Sequence, residues 1–490
     1  MFLKNMEKAF PVDVFLSSAQ ETAITEWMYL EQGEPKLLNG FIPEQLVDDD
    51  LMSIRFPNLV AHELATLVMQ DVDIRVDGDD PERVKYIQRG LDKYFSNRAL
   101  SMLERMMMLG GLFAKYNGQG FEYISPDRFL VTAFSSDGEI TGGIFFSYIQ
   151  RGKDLYTRAE YHRFEGRDED GKLIYKISNR AFKSSNTTEL GKEISLSKVA
   201  DWADLEPEVE LRGLERPLFV YLKTPLVNTV DPDSPLGESI FQRSLPVLTI
   251  LDTAMSALNR ETKQSMPMMV VDSVSLQMAK DQGIKIPPFV LALGKPSAEN
   301  YADQWQPKLQ TDERLKTINW AISYIAVSTG FDPGHFAFEG NIVAVNTATQ
   351  VEALERHTIN TVLSYRRLFD RPEKNGDGRE GYLHDMAYIL DVMGTMKGDL
   401  PSTGFGMYQL YSDFSDLTSN EEEDRAFDFQ LAQSGYISKK AFLVRHYGLT
   451  DAEAQAMLDE VSAESGTTAE PKVPEVVNEE TTVVAENIAE

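Results

Sequence analysis

Cysteine is absent from this chain of 490 residues. That excludes a disulfide scaffold, thiol catalysis and any thiolate-held zinc or iron–sulfur site, and it fits a reducing compartment. Histidine is scarce. His62, His162, His335, His357, His384 and His446 are the whole set, and they form no ligand-spaced cluster. His62 and Glu63 open a near match to H-E-x-x-H, but Thr66 stands where the second ligand must be. Long apolar runs are missing too. Nothing approaches the roughly 20 residues of a membrane span. The first residues, MFLKNMEKAFPVDVF, lack the apolar core of a signal peptide, so the expectation is a soluble protein made inside the cell. There is no G-x-S-x-G elbow, and Gly294-Lys295 runs into Pro296, so no phosphate loop forms there. Positive charge is also short. Lys and Arg number 48 against 77 Asp and Glu, a net charge of −29. Such a surface disfavours a tight grip on nucleic acid and is repelled by anionic membranes.

What is present is enough apolar residue, 42%, to bury sizeable cores, and a length that suggests two to four domains. Residues 1–110 read as mostly helical. Leu59, Leu64, Leu67 and Val68 sit at helical spacing, and a second pattern runs from Tyr86 to Leu109 before Gly110 and Gly111 break it. Residues 112–222 change character. Runs at 121–124 (FEYI), 129–132 (FLVT), 143–149 (GIFFSYI) and 173–177 (LIYKI) predict an antiparallel β-rich domain, with turns at 136–138 and 169–171. Residues 223–238 are a Pro- and Asp-rich connector. A long helix is predicted over 239–263, with Leu248, Leu251, Met255 and Leu258 on one stripe and Pro246 kinking its first turns. Residues 265–310 form a small unit with a strand at 268–271. A helix capped by Thr311 or Asp312 runs to about Thr329, and a loop occupies 331–345. Thr349 and Glu352 make a capping box for another helix reaching Phe369. Helical stretches at 381–397 and 421–460 precede a tail, 461–490, with one Lys against seven Glu and neither Leu nor aromatics, which predicts disorder. The fold class expected is α+β.

Two weak motifs are better read as solvated turns. Gly376-x-Gly378-x-x-Gly381 matches the dinucleotide pattern but follows a helix, not a strand. The same stretch fails as a calcium loop, with Glu373 in the first position and His384 where a bidentate Glu is needed. No catalytic residue, metal site or cofactor is indicated. A carboxylate pair doing acid–base chemistry could still hide among the acidic residues, because such pairs meet through the fold. Over 240–320 nine cations face eight acids, so a strongly acidic chain has a near-neutral stretch along the helix, small unit and second helix.

At several of these places the chain resembles the portal (head-to-tail connector) proteins of tailed bacteriophages, especially those of long-tailed phages of Gram-positive hosts. The residues that carry the resemblance are 106–115 (MMMLGGLFAK) leading into 123–129 (YISPDRF), then 228–241 (NTVDPDSPLGESIF) followed by Leu251-Asp252. To these are added 346–351 (NTATQV), where Gln350 replaces the usual Glu, and 436–440 (YISKK) with 449–453 (LTDAE). The likeness covers roughly 55–460. It implies a ring, usually of twelve subunits, at one capsid vertex, through which DNA is packaged and ejected. By that likeness 1–238 and about 346–420 would contain the wing and the long helix. Residues 239–263 and 312–330 would be the stem, 264–311 the clip, 331–345 the tunnel loop, 421–460 the crown and 461–490 a tail.

The residues implied are His335, Phe336, Phe338, Glu339 and Asn341 for the tunnel loop and DNA channel. For the stem they are Leu248, Leu251, Met255, Leu258, Arg260 and Lys263, and for the clip Lys280, Lys285 and Lys295. The resemblance implies no enzyme activity and no cofactor. Its partners would be further copies of the chain, the terminase large subunit, a head-completion adaptor, the major capsid and scaffolding proteins, and duplex DNA in transit, with no membrane. The place implied is the virion, after assembly in the host cytoplasm. Two other readings stay open: an acidic hydrolase working through a carboxylate pair, and a different virion structural protein.

Overall fold

The computed structural model describes residues 2–33, 52–70, 72–264, 268–283, 285, 290–293, 302–305, 310–336, 348–372, 379–414, 421–434, 437–447 and 454–459. Phe338, Glu339, Asn341 and Lys295, the tail at 461–490 and the turn at 373–378 therefore lie outside the described residues. The chain divides into two compact units, Met1–Ser415 and Asp416–Glu490. It is an α+β protein, and no described helix is long and apolar enough to cross a membrane.

The first unit opens with helices α1 (Ser18–Gln32) and α2 (Phe56–Met69), strand β1 (Val72–Asp77), and helices α3 (Pro81–Asn97) and α4 (Ala99–Leu109). Ser17 caps α1 by accepting from the Gln20 amide at 3.2 Å. Asp80 caps α3, with Pro81 at the first helical position where its missing N–H costs nothing. The single pattern expected from Tyr86 to Leu109 is in fact two helices, broken at Arg98. Gly110 ends α4 at φ 80°, and a Cβ there would sit 2.8 Å from the Gly237 carbonyl oxygen, so the position requires glycine.

The β region follows: β2 (Gly111–Tyr116), β3 (Phe121–Ile124), β4 (Phe129–Phe134), β5 (Ile140–Arg151), β6 (Asp154–Arg167), β7 (Leu173–Ser184), β8 (Lys192–Ile194), β9 (Glu208–Arg212) and β10 (Phe219–Lys223). Strands β4 to β8 form an antiparallel sheet in chain order, with β9 on the other stretch of β7's outer edge. Strands β10, β2 and β3 form a second sheet. Aromatic side chains join the two. Phe113 of β2 stacks on Phe129 at 3.6 Å between centroids, and Phe145 lies 5.2 Å from Phe219. All four sequence runs are strands. The longest strand, β6, was not expected. Its buried face is Leu155, Thr157, Ala159 and Tyr161, too mixed in size and polarity to stand out as an apolar alternation.

Next come α5 (Leu245–Gln264), β11 (Met268–Asp272), α6 (Ser273–Asp281), β12 (Val290–Leu293), β13 (Ala302–Trp305) and α7 (Thr311–Thr329). The three strands make one small sheet, with β11 central, parallel to β12 and antiparallel to β13. Pro246 does not kink α5. It occupies the first turn, after a 3-10 turn at Gln242–Ser244, and so marks the start of the helix six residues later than expected. Neither Thr311 nor Asp312 caps α7; the cap position is Gln310, whose side chain makes no capping bond.

The unit closes with α8 (Ala348–Phe369), β14 (Arg371–Pro372), β15 (Arg379–Glu380), α9 (Tyr382–Lys397) and β16 (Gln409–Phe414). Helix α8 already includes Thr349, so the expected capping box lies inside it and not at its start. Strand β16 returns across the whole chain to pair with β1. The second unit contains α10 (Glu421–Gln433) and α11 (Lys439–Tyr447), in place of one continuous helical stretch.

Candidate functional site

Helices α5 and α7 run antiparallel. Glu261, near the end of α5, meets Arg314, near the start of α7, at 2.9 Å, while the 3-10 turn ahead of α5 packs near the far end of α7. Between them the chain makes the small β11–β13 unit. On α5, Leu248 and Leu251 are buried, Met255 and Leu258 are half-buried, and Arg260 and Lys263 are exposed, so the apolar stripe opens to solvent toward the small unit. On α7 the inner face is Ile318, Ala321, Ile322, Ile325 and Ala326, all buried. The opposite face carries Trp320, Tyr324 and Val327 at helical spacing, and they are 53%, 45% and 47% exposed. Helix α5 also exposes Ile250.

The base of α5 is held by residues far away in sequence. The 223–238 connector is a bonded strap and not a loose linker. Asn228 donates to Gln20 Oε1 and to the Leu236 carbonyl, and its Oδ1 accepts the Val230 and Asp231 amides, each at about 3.0 Å. Residues 52–54 lie along α5. The Met52 amide donates to Ser256 Oγ at 2.9 Å, and the Ile54 amide to Asp252 Oδ1 at 3.3 Å. Burial pushes the Asp252 carboxyl up to about 6, against the smaller opposing effect of hydrogen bonds from the Ile54 amide and the Ser53 side chain.

The described part of the 331–345 loop folds back on the protein. Phe331 is fully buried, Phe336 packs edge-on against Phe56 at 5.5 Å, and His335 lies 3.5 Å from Glu63 of α2. Asp332 holds Thr358 of α8 through its carboxylate at 3.0 Å. His335 and Phe336 are thus anchored to α2. Lys280 and Lys285, in the small unit, are exposed.

Two features were not anticipated. The first is a buried ionic cluster between β2, β6 and β7. Glu160 accepts from Lys115, from Arg158 at 2.9 Å and from His162 at 3.0 Å, and His162 in turn bonds the Tyr175 hydroxyl at 2.8 Å. Burial alone would raise the Glu160 carboxyl, but Lys115, His162 and Arg158 together hold it well below its ordinary value. This is the opposite of a general acid. Burial does raise Glu139 and Asp385, which lie in each other's field, but Asp385 is tied to Arg216 at 2.6 Å. Among the described residues no group of three His, Asp or Glu side chains could hold a metal ion. The near zinc motif is a surface pairing, with His62 bonded to Glu104.

The second is a cleft of about 320 Å³ alongside α3, lined by Lys85, Tyr86, Arg89 and Lys93, with Glu82 and Asp399 also on its wall. A second cleft of about 360 Å³ continues it past Lys93 to Arg98. Lys85, Arg89 and Lys93 recur every fourth residue, a signal visible in the sequence but outside the 240–320 stretch where charge balance drew attention.

No family model matches the chain, and no curated protein matches it. Among solved structures it is similar to a chain described as "Neck of empty GTA particle computed with C6 symmetry". The identity is 12% and the TM-score 0.44, over 91% of this chain and 97% of that one. That score is below the level of a shared fold.

Proposed function

We propose that this chain is a portal subunit of a tailed bacteriophage, a ring-forming structural protein through which double-stranded DNA passes. The single observation that carries the reading is the α5–α7 pair. Two antiparallel helices project to a small sheet-and-helix unit, and α7 is apolar on both faces while only one is covered. Ile318, Ile322 and Ile325 pack inward; Trp320, Tyr324 and Val327 point outward. An exposed apolar patch of this kind, opposite a packed face, marks a contact with another chain. Covering about 100 Å² of Trp320 at ~25 cal/mol/Å² is worth about 2–3 kcal/mol at each contact, repeated around a closed ring.

In this reading α5 and α7 are the stem, and the β11–β13 unit is the clip that presents Lys280 and Lys285 to the terminase and later to a head-completion adaptor. His335 and Phe336, in the described start of the tunnel loop after α7, root it on α2. The reading assigns no catalysis, and the energy for packaging comes from a separate ATPase. The acidic surface suits a channel, because tight phosphate contacts would brake moving DNA, whereas like charge keeps the duplex centred.

Native mass spectrometry and negative-stain images test this. The expected species is a ring near 660 kDa for about twelve chains of 55.2 kDa each. Trp320→Ser with Tyr324→Ser should yield folded subunits that no longer form rings, because both side chains are exposed in the single subunit. Monomers or dimers of the unaltered protein at every salt concentration would overturn the proposal.

A further inference from the structure

The basic cleft along α3 has no role in the reading above. In a chain of net charge −29 it gathers Lys85, Arg89, Lys93 and Arg98 on one exposed side of the first unit. Lys93 donates to the Gln119 carbonyl at 3.0 Å, but Lys85, Arg89 and Arg98 have no side-chain partner among the described residues. The cations at 85, 89 and 93 repeat every four helical residues, about 6 Å apart. Glu82 and Asp399 share the cleft wall, so a continuous run of phosphates would meet repulsion there. An extended acidic protein segment, with side chains on one face every ~6.7 Å, fits the spacing and can match the mixed wall with charges of its own.

The same unit carries such a segment. Strand β9 is an edge strand whose Glu208 and Glu210 point outward, with Glu206 and Asp204 exposed just before it. Asp168 and Asp170 lie close enough to act on Arg212 of the same strand. Glu208 and Glu210 are partly offset by Lys176 at 3.1 Å and Arg212 at 2.8 Å. Asp204 and Glu206 have no cationic partner among the described residues. A ring of identical subunits needs two different surfaces that complement each other, one on each side of the protomer. Resting on the ring reading, we propose that the α3 cleft of one subunit receives the acidic 204–210 edge of a second copy, so that this charge pairing sets the handed, head-to-tail order of subunits in the ring.

Two charge-reversed proteins test it: Lys85→Glu with Arg89→Glu, and Glu206→Lys with Glu208→Lys. Each alone should lose at least tenfold in ring yield by native mass spectrometry at low salt. An equimolar mixture should regain rings, in which the two variants alternate, because each interface then again joins opposite charges. Circular dichroism matching the unaltered protein, and a neutral Lys85→Gln, Arg89→Gln version with an intermediate yield, separate assembly from misfolding. Normal rings from either reversed protein overturn the pairing while leaving the ring reading intact. So does failure of the mixture to recover, or a loss confined to duplex DNA binding by the α3 variant. An unaltered protein that never forms rings overturns both.

Discussion

Asp252→Asn is expected to stabilise the subunit in mildly alkaline solution and to leave it nearly unchanged in acid. Asp252 lies on α5 beneath the 52–54 segment, where burial raises its carboxyl from 3.8 to about 6. An acid whose value is raised on folding contributes its full stability below the unfolded value. That stability is lost as pH rises through the folded one, here between about 4 and about 6. A shift of roughly two units corresponds to about 3 kcal/mol at most, since each unit is worth about 1.4 kcal/mol. The asparagine keeps an oxygen to accept from the Ile54 amide, so the variant removes the buried charge and spares the hydrogen bond. Urea unfolding at about pH 4 and about pH 8, at one protein concentration, reads the difference. The variant should gain up to about 3 kcal/mol at the higher pH and less than about 0.5 at the lower. A gain of equal size at both, or a loss at the higher pH, would refute the assignment of a buried, reluctantly ionised carboxyl at this point of the stem.

Glu160→Gln should cost about 3–5 kcal/mol near neutral pH, because Lys115 would be left buried without its counter-charge; chemical denaturation measures this. The same carboxylate, held low in the folded protein, contributes stability that is present above its unfolded value and fades in strong acid, so the cost of the variant should shrink as pH falls. Arg366→Met should cost about 2–3 kcal/mol, since Arg366 donates to the Val68 carbonyl at 3.1 Å and the Leu67 carbonyl at 3.0 Å and so completes the last turn of α2. Faster amide exchange at that end of α2 would accompany the loss, and unchanged exchange would count against the capping role.

Most of the α+β framework was legible because its signals are local. The runs at 121–124 and 129–132 contain β-branched and aromatic residues between turns, and both are strands. The Leu248 and Leu251 stripe pointed inward as its spacing implies. Helix starts were read less well: Thr349 and Thr311 have capping chemistry, yet neither is the cap. Capping bonds depend on where the preceding chain arrives, which no short pattern records. Trp320, Tyr324 and Val327 are apolar residues outside the buried stripe of Ile318, Ile322 and Ile325, and their exposure is decided by which neighbours are present. The Glu160 cluster was invisible for a different reason. Lys115 and Tyr175 reach it from other strands, 45 and 15 residues away in the chain.

The hydrogen bonds and ion pairs that complete the early helices set a timetable for biogenesis. Arg83 of α3 is fully buried against Asp391, 308 residues later, and α2 waits 298 residues for Arg366. At the roughly 5–20 residues per second of ribosomal synthesis, the first hundred residues spend about 15–60 s with the end of α2 uncapped and Arg83 without Asp391. Chains cut short before α8 and α9 would never acquire those partners, so C-terminally truncated products should be cleared by proteases and not enter assembly with incomplete subunits.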